Sequence, residues 1–243
     1  MRAAVISDVH GNLAALRSVQ IDIEKSKADE VWCLGDVIGY GADPWECWRI
    51  VRQEMKAKLI LGNHELALVD SDYLLNFHRG ARSGVEYARK SATAELIREI
   101  KELPQNLEFD GYDVVLAHGA FSDPWIYILD EIDGRREFDS MSKNIGFIGH
   151  SHMPFFLSGP VGWIDVASGR LNVFPKNKYV INPGSVGQPR DGDCRASYGL
   201  FEFEGKRSYF TLRRVDYPVA ETVSRMADAG LPNRMATRLF RGE

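Results

Sequence analysis

The stretch Ala3-Ala4-Val5-Ile6-Ser7-Asp8-Val9-His10-Gly11-Asn12 decides the architecture. Four apolar residues run into a polar cluster that carries a carboxylate and an imidazole two positions apart. A run this short, rich in Val and Ile and ended by Gly or Asp, reads as a buried strand, because a helix needs more length. The same pattern recurs four more times. Residues 31–34 run into Gly35-Asp36, residues 59–61 into Gly62-Asn63-His64-Glu65, residues 114–117 into His118-Gly119, and residues 145–148 into Gly149-His150-Ser151-His152. Of the six histidines, only His78 lies outside these motifs. Five polar motifs at five strand ends predict convergence on one rim of a sheet, where open α/β folds hold ligands beyond the carboxyl ends of their strands.

Working outward, residues 12–25 place Leu13, Leu16, Val19 and Ile23 at helical spacing, and Pro44 opens a second helix with Trp45, Trp48, Val51 and Met55 on one face. Strand, helix, strand, helix, strand implies a parallel sheet. Residues 66–103 read as a long helical region, broken near Gly80 and stopped by Pro104, that covers the sheet and walls one side of the cleft. Closely spaced strands follow at 114–117, 145–148, 155–157, 161–166, 171–174, 179–181, 198–203 and 209–215. These predict a largely antiparallel second sheet stacked on the first. The expected fold is a four-layer α/β/β/α sandwich with two stacked mixed sheets, a single domain over residues 1–243 with 213–243 as a C-terminal helical appendage. That appendage is helical over 219–240, interrupted at Gly230-Leu231-Pro232, and is expected to pack on the outside. Residues 119–144 show no clear pattern, and long loops in compact domains serve as binding loops or lids.

With 243 residues and 44% hydrophobic content, the chain suits one globular α/β domain. No apolar stretch approaches the roughly 20 residues that cross a bilayer, so no membrane partner is expected. The first strand begins directly after Met1-Arg2, and cytoplasmic residence is the expectation. Cys33, Cys47 and Cys194 form no close pair and no metal-type spacing, which fits inert thiols in a reducing compartment. A net charge of -4 provides no footprint for wrapping duplex nucleic acid.

The residue types in the five motifs point to metal chemistry. Imidazole suits Mn, Fe, Co, Ni and Zn, whereas Mg and Ca sites are almost all oxygen. Asp8 and His10 reach one ion, Asn63, His118 and His150 another, and the two oxygens of Asp36 suffice to bridge. Two divalent ions outweigh the two carboxylates, so the site attracts phosphate. An ion pair that shares an acidified water and holds phosphoryl oxygens in line is the chemistry of phosphoester hydrolysis. His64, left free of metal, protonates the leaving oxygen. Glu65 reads as a helix-start residue that favours the dipole, and His78 as a surface or helix-packing histidine.

In order and spacing this set resembles the calcineurin-like metallophosphoesterase superfamily, and within it the compact bacterial and archaeal phosphoesterases. The ordered motifs span Asp8 to His152, and Ile181-Asn182-Pro183-Gly184-Ser185-Val186-Gly187-Gln188-Pro189-Arg190 also looks like that subgroup. The resemblance implies that Asp8, His10, Asp36 and His152 hold one ion and that Asp36, Asn63, His118 and His150 hold the other. It implies an acid or transition-state-stabilising role for His64, and in-line attack by a metal-bridging hydroxide. The two divalent transition-metal ions are expected to be Mn²⁺ or Fe, with Zn²⁺, Ni²⁺ or Co²⁺ as alternatives. Protein Ser/Thr phosphatases of the superfamily carry an Asp-Arg pair where this chain has Gly39-Tyr40, which weighs against a phosphoprotein substrate and leaves the group that orients His64 unassigned, with Asp43 a candidate.

The expected activity is hydrolysis of small or nucleotide-type phosphodiesters or phosphomonoesters. The alternatives are a dinucleoside polyphosphate hydrolase, a protein Ser/Thr phosphatase, a repair nuclease, or a silent scaffold like the retromer subunit of similar fold. Filled metal positions and His64 weigh against the scaffold, and the acidic balance weighs against the nuclease. Tyr40, Arg190 and Trp125 are the candidate substrate contacts. Arg190 either grips phosphate as a planar fork or is a structural arginine, and Trp125 and Tyr127 either stack on a base or pack against the sheet. The Asn182-Pro183-Gly184-Ser185 turn shapes the wall behind the metals.

Overall fold

The computed structural model describes residues 1–243 apart from positions 124, 165, 167, 168 and 206. Strand β1 (Arg2–Ile6) leads into helix α1 (Leu13–Ser26), whose first turn is closed by the Asn12 carboxamide accepting the Ala15 N–H at 3.1 Å. Strand β2 (Glu30–Cys33) follows, then α2 (Pro44–Arg49), which starts on Pro44 as expected and continues as a π-helical turn over Ile50–Glu54 before β3 (Lys58–Leu59). The helical region expected over 66–103 is four helices: α3 (Asn63–Val69), α4 (Ser71–Leu74), α5 (Arg79–Arg89) and α6 (Ala94–Lys101). The break falls before α5 and not at Gly80, because the His78 side chain caps that helix. Strand β4 (Leu107–Phe109), absent from the sequence reading, precedes β5 (Val114–Leu116), α7 (Glu131–Arg136) and β6 (Ile145–Phe147). The chain ends through β7 (Phe155–Ser158), β8 (Gly162–Ile164), β9 (Arg170–Val173), β10 (Tyr179–Asn182), β11 (Ala196–Glu204), β12 (Arg207–Val215), α8 (Val219–Asp228) and α9 (Asn233–Thr237). Position 165, inside the strand expected over 161–166, lies outside the described residues.

The strands form two six-stranded mixed sheets, ordered β3-β2-β1-β11-β12-β9 and β4-β5-β6-β10-β7-β8. The parallel trio β1, β2 and β3 matches the expectation. The division of the later strands does not. Strands β11, β12 and β9 join the first sheet in that order beyond β1, each antiparallel to its neighbour, and the centre of the second sheet is parallel, β5 beside β6 beside β10. Along β12 burial alternates and along most of β11 both faces are buried, and neither pattern encodes which of two sheets a strand enters.

Alternation along β1 explains the layering. Ala3 and Val5 face the space between the sheets, where they join Trp32, Phe147, Phe201 and Phe210; Ala4 and Ile6 face the helical layer with Leu16, Val19 and Trp48. A third cluster, with Phe155, Leu157 and Ile148, fills the outer side of the second sheet under α7. These clusters separate the four layers that the sequence predicts. Among the described residues, no helix is long and apolar enough to cross a membrane.

The C-terminal helices depart from expectation. Strand β12 carries the chain through Val215, so residues 213–215 are sheet and the helices begin at Val219. Nor do those helices merely cover the outside. Met226, Leu231 and Met235 cluster with Tyr40 and Ala81, the Thr222 hydroxyl donates to Asn12 Oδ1 at 2.7 Å, and Arg225 Nε donates to Asp43 Oδ2 at 2.7 Å. They brace the loops that follow β1 and β2.

The inter-sheet rings make a stability prediction. Phe147 is fully buried and meets Phe201 edge-on at 5.5 Å, whereas Phe174 is 60% exposed. In urea unfolding, Phe147→Ala is expected to cost about 3–5 kcal/mol and Phe174→Ala less than about 0.5 kcal/mol. Similar losses for both would contradict this assignment of the core.

Candidate metal centre

The ends of β1, β2, β5 and β6 bring the polar motifs together, with Asn63 and His64 opening α3 beside them. Backbone hydrogen bonds continue the ladder past the strand ends: Asp8 N–H donates to Gly35 O (3.1 Å), His10 N–H to Asp36 O (2.9 Å) and Gly149 N–H to His118 O (2.7 Å). Six of the residues on these loops adopt left-handed backbone: Asp8 (φ 54°), His10 (50°), Asp36 (56°), Tyr40 (45°), His150 (63°) and His152 (60°). A side-chain-bearing residue there costs about 1–3 kcal/mol and persists only where its surroundings fix it. Strain repeated at these positions marks a site whose side-chain directions matter more than local backbone comfort.

The seven expected ligands gather as two groups around one carboxylate. Ligand atoms of Asp8, His10 and His152 lie within 4.8 Å of one another, as do those of Asp36, His118 and His150. Asp36 Oδ2 stands between the groups, 3.6 Å from His10 Nε2 and 3.5 Å from His118 Nε2. Its Oδ1 accepts the His64 N–H at 2.9 Å, which fixes the carboxylate plane. Asp8 Oδ2 accepts the His150 N–H at 3.1 Å, while its buried Oδ1 has no hydrogen-bond partner among the described residues and faces His152 Nε2 at 3.3 Å.

Carbonyl partners set the tautomer of each imidazole. Nδ1 donates to Ile38 O in His10 (3.0 Å), to Leu34 O in His118 (2.7 Å) and to Gln188 O in His152 (2.6 Å); in His150, Nε2 donates to Trp125 O (3.2 Å). A neutral imidazole has one N–H, so the remaining nitrogen of each is a lone pair. Those lone pairs face each other: His10 Nε2 and His152 Nε2 are 3.0 Å apart, His118 Nε2 and His150 Nδ1 3.1 Å. Such contacts repel unless a positive charge sits among them. The Asn63 carboxamide oxygen repeats the pattern, 2.8 Å from Asp36 Oδ2 and 3.0 Å from His118 Nε2, facing acceptors only. Turning the amide over would let it donate to His118 Nε2 and Asp36 Oδ2 but would leave the two imidazole pairs facing each other; a cation at each pair relieves those as well.

The titration of these groups agrees. Burial pulls His118 down, but the Asp36 and Asp8 carboxylates outweigh it and push the imidazole up to about 9, so a proton occupies that spot when no metal does. Burial pushes the Asp36 carboxyl up, and the facing imidazoles of His118 and His64 override it and hold it well below the usual range. Burial holds His10 and His152 well below the ordinary imidazole range, and burial followed by the charge on His118 takes His150 down to about 3. With the His118 proton displaced, four imidazoles, two carboxylates and an amide oxygen form a mixed N/O donor set that suits transition-metal ions.

His64 lies against the same group, its Nε2 3.9 Å from Asp36 Oδ2. Nothing hydrogen-bonds its buried Nδ1 among the described residues. Packing orients the ring instead: Phe77 meets it edge-on at 4.8 Å, Tyr40 lies at 4.9 Å, and a side chain at Gly39 would overlap Nδ1. Asp43 does not orient it, because that carboxylate is committed to Arg225. Burial takes the His64 imidazole down to about 4, leaving it neutral near pH 7.

The candidate substrate contacts divide. Tyr40 lines the cleft. Its oxygen accepts from Arg190 Nη2 at 3.4 Å and from His78 Nε2 at 3.2 Å; the His78 tautomer is fixed because Nδ1 accepts the Gly80 N–H at 3.2 Å. His78 is thus tied to the site through Tyr40, a role its isolated position in the sequence did not signal. Arg190 is positioned beside Tyr40 and also donates to Gln188 Oε1 at 2.8 Å. Trp125 lines the cleft, packs partly on the helical layer and holds His150 with its carbonyl; Tyr127 stacks on His150 at 3.8 Å. The 182–185 turn does more than shape a wall: Asn182 Nδ2 donates to Gly149 O (2.7 Å) and the Ser185 hydroxyl to Asp8 O (2.7 Å), tying the first and last motifs together.

Glu65 stands in the first turn of α3 as expected, and its role there is larger than that of a helix-start residue. Fully buried, it accepts the N–H groups of Asp36 (2.8 Å), Ile38 (3.0 Å) and Gly62 (3.2 Å), and burial, with the Asp36 charge, pushes its carboxyl up to about 7. Removing it orphans three buried donors at about 1–3 kcal/mol each. Glu65→Ala is expected to lower stability by about 3 kcal/mol or more and to weaken metal binding by loosening Asp36, as read by urea unfolding and metal titration. Unchanged metal affinity would show that Glu65 does not hold that loop.

Comparison with known proteins agrees with this geometry. An uncharacterised protein of Methanocaldococcus jannaschii is 33% identical over 244 residues, covering 98% of this chain and 97% of its own. A symmetrical bis(5'-nucleosyl)-tetraphosphatase of Psychromonas ingrahamii is 24% identical over 209 residues, 76% of this chain and 70% of that one. The crystal structure of a metallophosphoesterase from Sphaerobacter thermophilus, 35% identical, superposes with a TM-score of 0.86 over the whole of both chains. The sequence profile of the calcineurin-like phosphoesterase superfamily domain matches residues 1–206, and with it this chain belongs to that superfamily of divalent-metal-dependent phosphoric ester hydrolases.

Proposed function

We propose that this protein is a dinuclear hydrolase of small or nucleotide-type phosphoesters, with Asp8, His10, Asp36 and His152 holding one ion and Asp36, Asn63, His118 and His150 the other. The observation that carries the reading is the pair of lone-pair contacts, 3.0 and 3.1 Å, on either side of Asp36 Oδ2. Mn²⁺ or Fe suits the donor set best among the ions that imidazole and carboxylate accept. When bound, such ions supply Lewis acidity to phosphoryl oxygens and bring the pKa of a water towards neutrality.

The remaining roles fall to this chain's own groups. A neutral His64 offers its Nε2–H to the leaving oxygen as charge develops there, with the ring held by Gly39, Tyr40 and Phe77. Tyr40 is a donor of fixed direction: burial raises its pKa and keeps the phenol protonated, and its oxygen already accepts from His78 and Arg190, so its O–H points to a substrate oxygen. It stands where the superfamily's protein phosphatases carry arginine, and a phosphoprotein substrate is disfavoured on that ground. Dinucleoside polyphosphate hydrolysis is the second reading, favoured by the Psychromonas tetraphosphatase relative.

His64→Ala is expected to lower turnover by about 10²- to 10⁴-fold at unchanged metal content. Loss of metal would make His64 a ligand instead, and unchanged turnover would remove it from the reaction. A rate panel of the metal-loaded protein against an aryl monoester, an aryl diester, cyclic nucleotides, dinucleoside polyphosphates and a phosphopeptide tests the substrate class. Turnover is expected on aryl and nucleotide esters; a phosphopeptide as best substrate, or silence throughout, contradicts the reading.

A further inference from the structure

Beside the metal-ligand cluster a cleft of about 340 Å³ opens off Asn63, His64 and His150. Its volume falls in the range that holds one small organic ligand. One wall comes from α4 and the turn after it, with Tyr73, Asn76 and Phe77; the other comes from the loop after β5, with Trp125 and Tyr127. The rings face a common space: Tyr73 and Trp125 have centroids 5.5 Å apart and Tyr73 and Phe77 6.0 Å apart. Tyr127 gives one face to His150 and remains 42% exposed. The described lining holds no Lys, Arg, Asp or Glu. Beyond its phosphate, the occupant that this chemistry fits is therefore flat, aromatic and uncharged.

We propose that this cleft is a nucleobase slot and that the leaving group is a nucleoside. The proposal rests on the phosphoester hydrolase reading and adds the substrate class to it. Position assigns the slot to the leaving side, since Phe77 meets His64 edge-on at 4.8 Å and His64 is the donor to the leaving oxygen. An aliphatic chain would gain from the walls only by area. A base gains by stacking on half-exposed rings, about 1–3 kcal/mol per base, and its edge finds in the Asn76 carboxamide a donor and an acceptor at the rim. The turn between α4 and α5 thereby acquires a role, and the loop after β5, which holds His150 through the Trp125 carbonyl, acquires a second one.

The test compares two ligands that differ only by the base. Calorimetry with the Mn²⁺-loaded protein measures AMP and ribose 5-phosphate, and the same samples are assayed for hydrolysis. AMP is expected to bind about 10- to 100-fold more tightly, which is the stacking range expressed as an affinity ratio. In Tyr73→Ala and in Phe77→Ala the ratio is expected to fall to about 3 or less. Equal affinities in the unmodified protein, absence of AMP binding, or a preference that survives both substitutions overturns the slot. A protein that prefers AMP yet hydrolyses no phosphoester contradicts the hydrolase reading while leaving the slot standing. One that hydrolyses aryl esters without any base preference does the reverse.

Discussion

The structure turns on one buried carboxylate. Asp36 lies in the loop after β2 in a left-handed conformation, its Oδ1 tied to the start of α3 and its Oδ2 set between two pairs of imidazoles. An anion taken out of water needs compensating positive charge, and in the metal-free centre Asp36 and Asp8 draw a proton onto His118. Everything nearby serves to keep that carboxylate in place. Glu65 holds the backbone on both sides of it, and Asn182 and Ser185 close the ring from the far strand.

This arrangement is over-determined by design of the fold. The strained residues persist in loops held by extensions of the strand ladders at Asp8 and His10 and by side-chain acceptors at the N–H groups of Asp36 and His150. The histidines are set before any ion arrives, since each spends its second nitrogen on a carbonyl. Such outer partners fix both tautomer and ring orientation. The C-terminal helices extend the same logic: by packing on Tyr40 and pairing with Asp43 they brace the loop on which the His64 contact and the phenol donor both depend.

How much of this the sequence revealed follows from where the information is local. Strand-end motifs are local, so Asp8, His10, Asp36, Asn63, His64, His118, His150 and His152 were legible as one site, and with them the layered fold. Sheet membership is not local. The strands at β9, β11 and β12 are buried or paired on terms set by distant partners, and β4 is three residues, too short to show a period of its own despite the Asp110-Gly111 turn that follows it. Glu65 does start its helix, but its further hold on the Asp36 loop went unread because a helix-start glutamate is ordinary; the available clue was its position three residues after Gly62, the spacing at which a glutamate reaches back to the backbone ahead of its helix. His78 and the C-terminal helices carry no motif at all, and only the folded chain brings them to Tyr40.

The central claim is that Asp36 Oδ2 joins two cation sites. Its most direct measurement is metal per chain, by elemental analysis after Mn²⁺ loading and gel filtration, in the unmodified protein and in Asp36→Asn. The account predicts two ions per chain in the first and none retained in the second, because a neutral amide removes the charge that both sites share. Two ions retained by Asp36→Asn, or no ion bound by the unmodified protein under any loading, would contradict it.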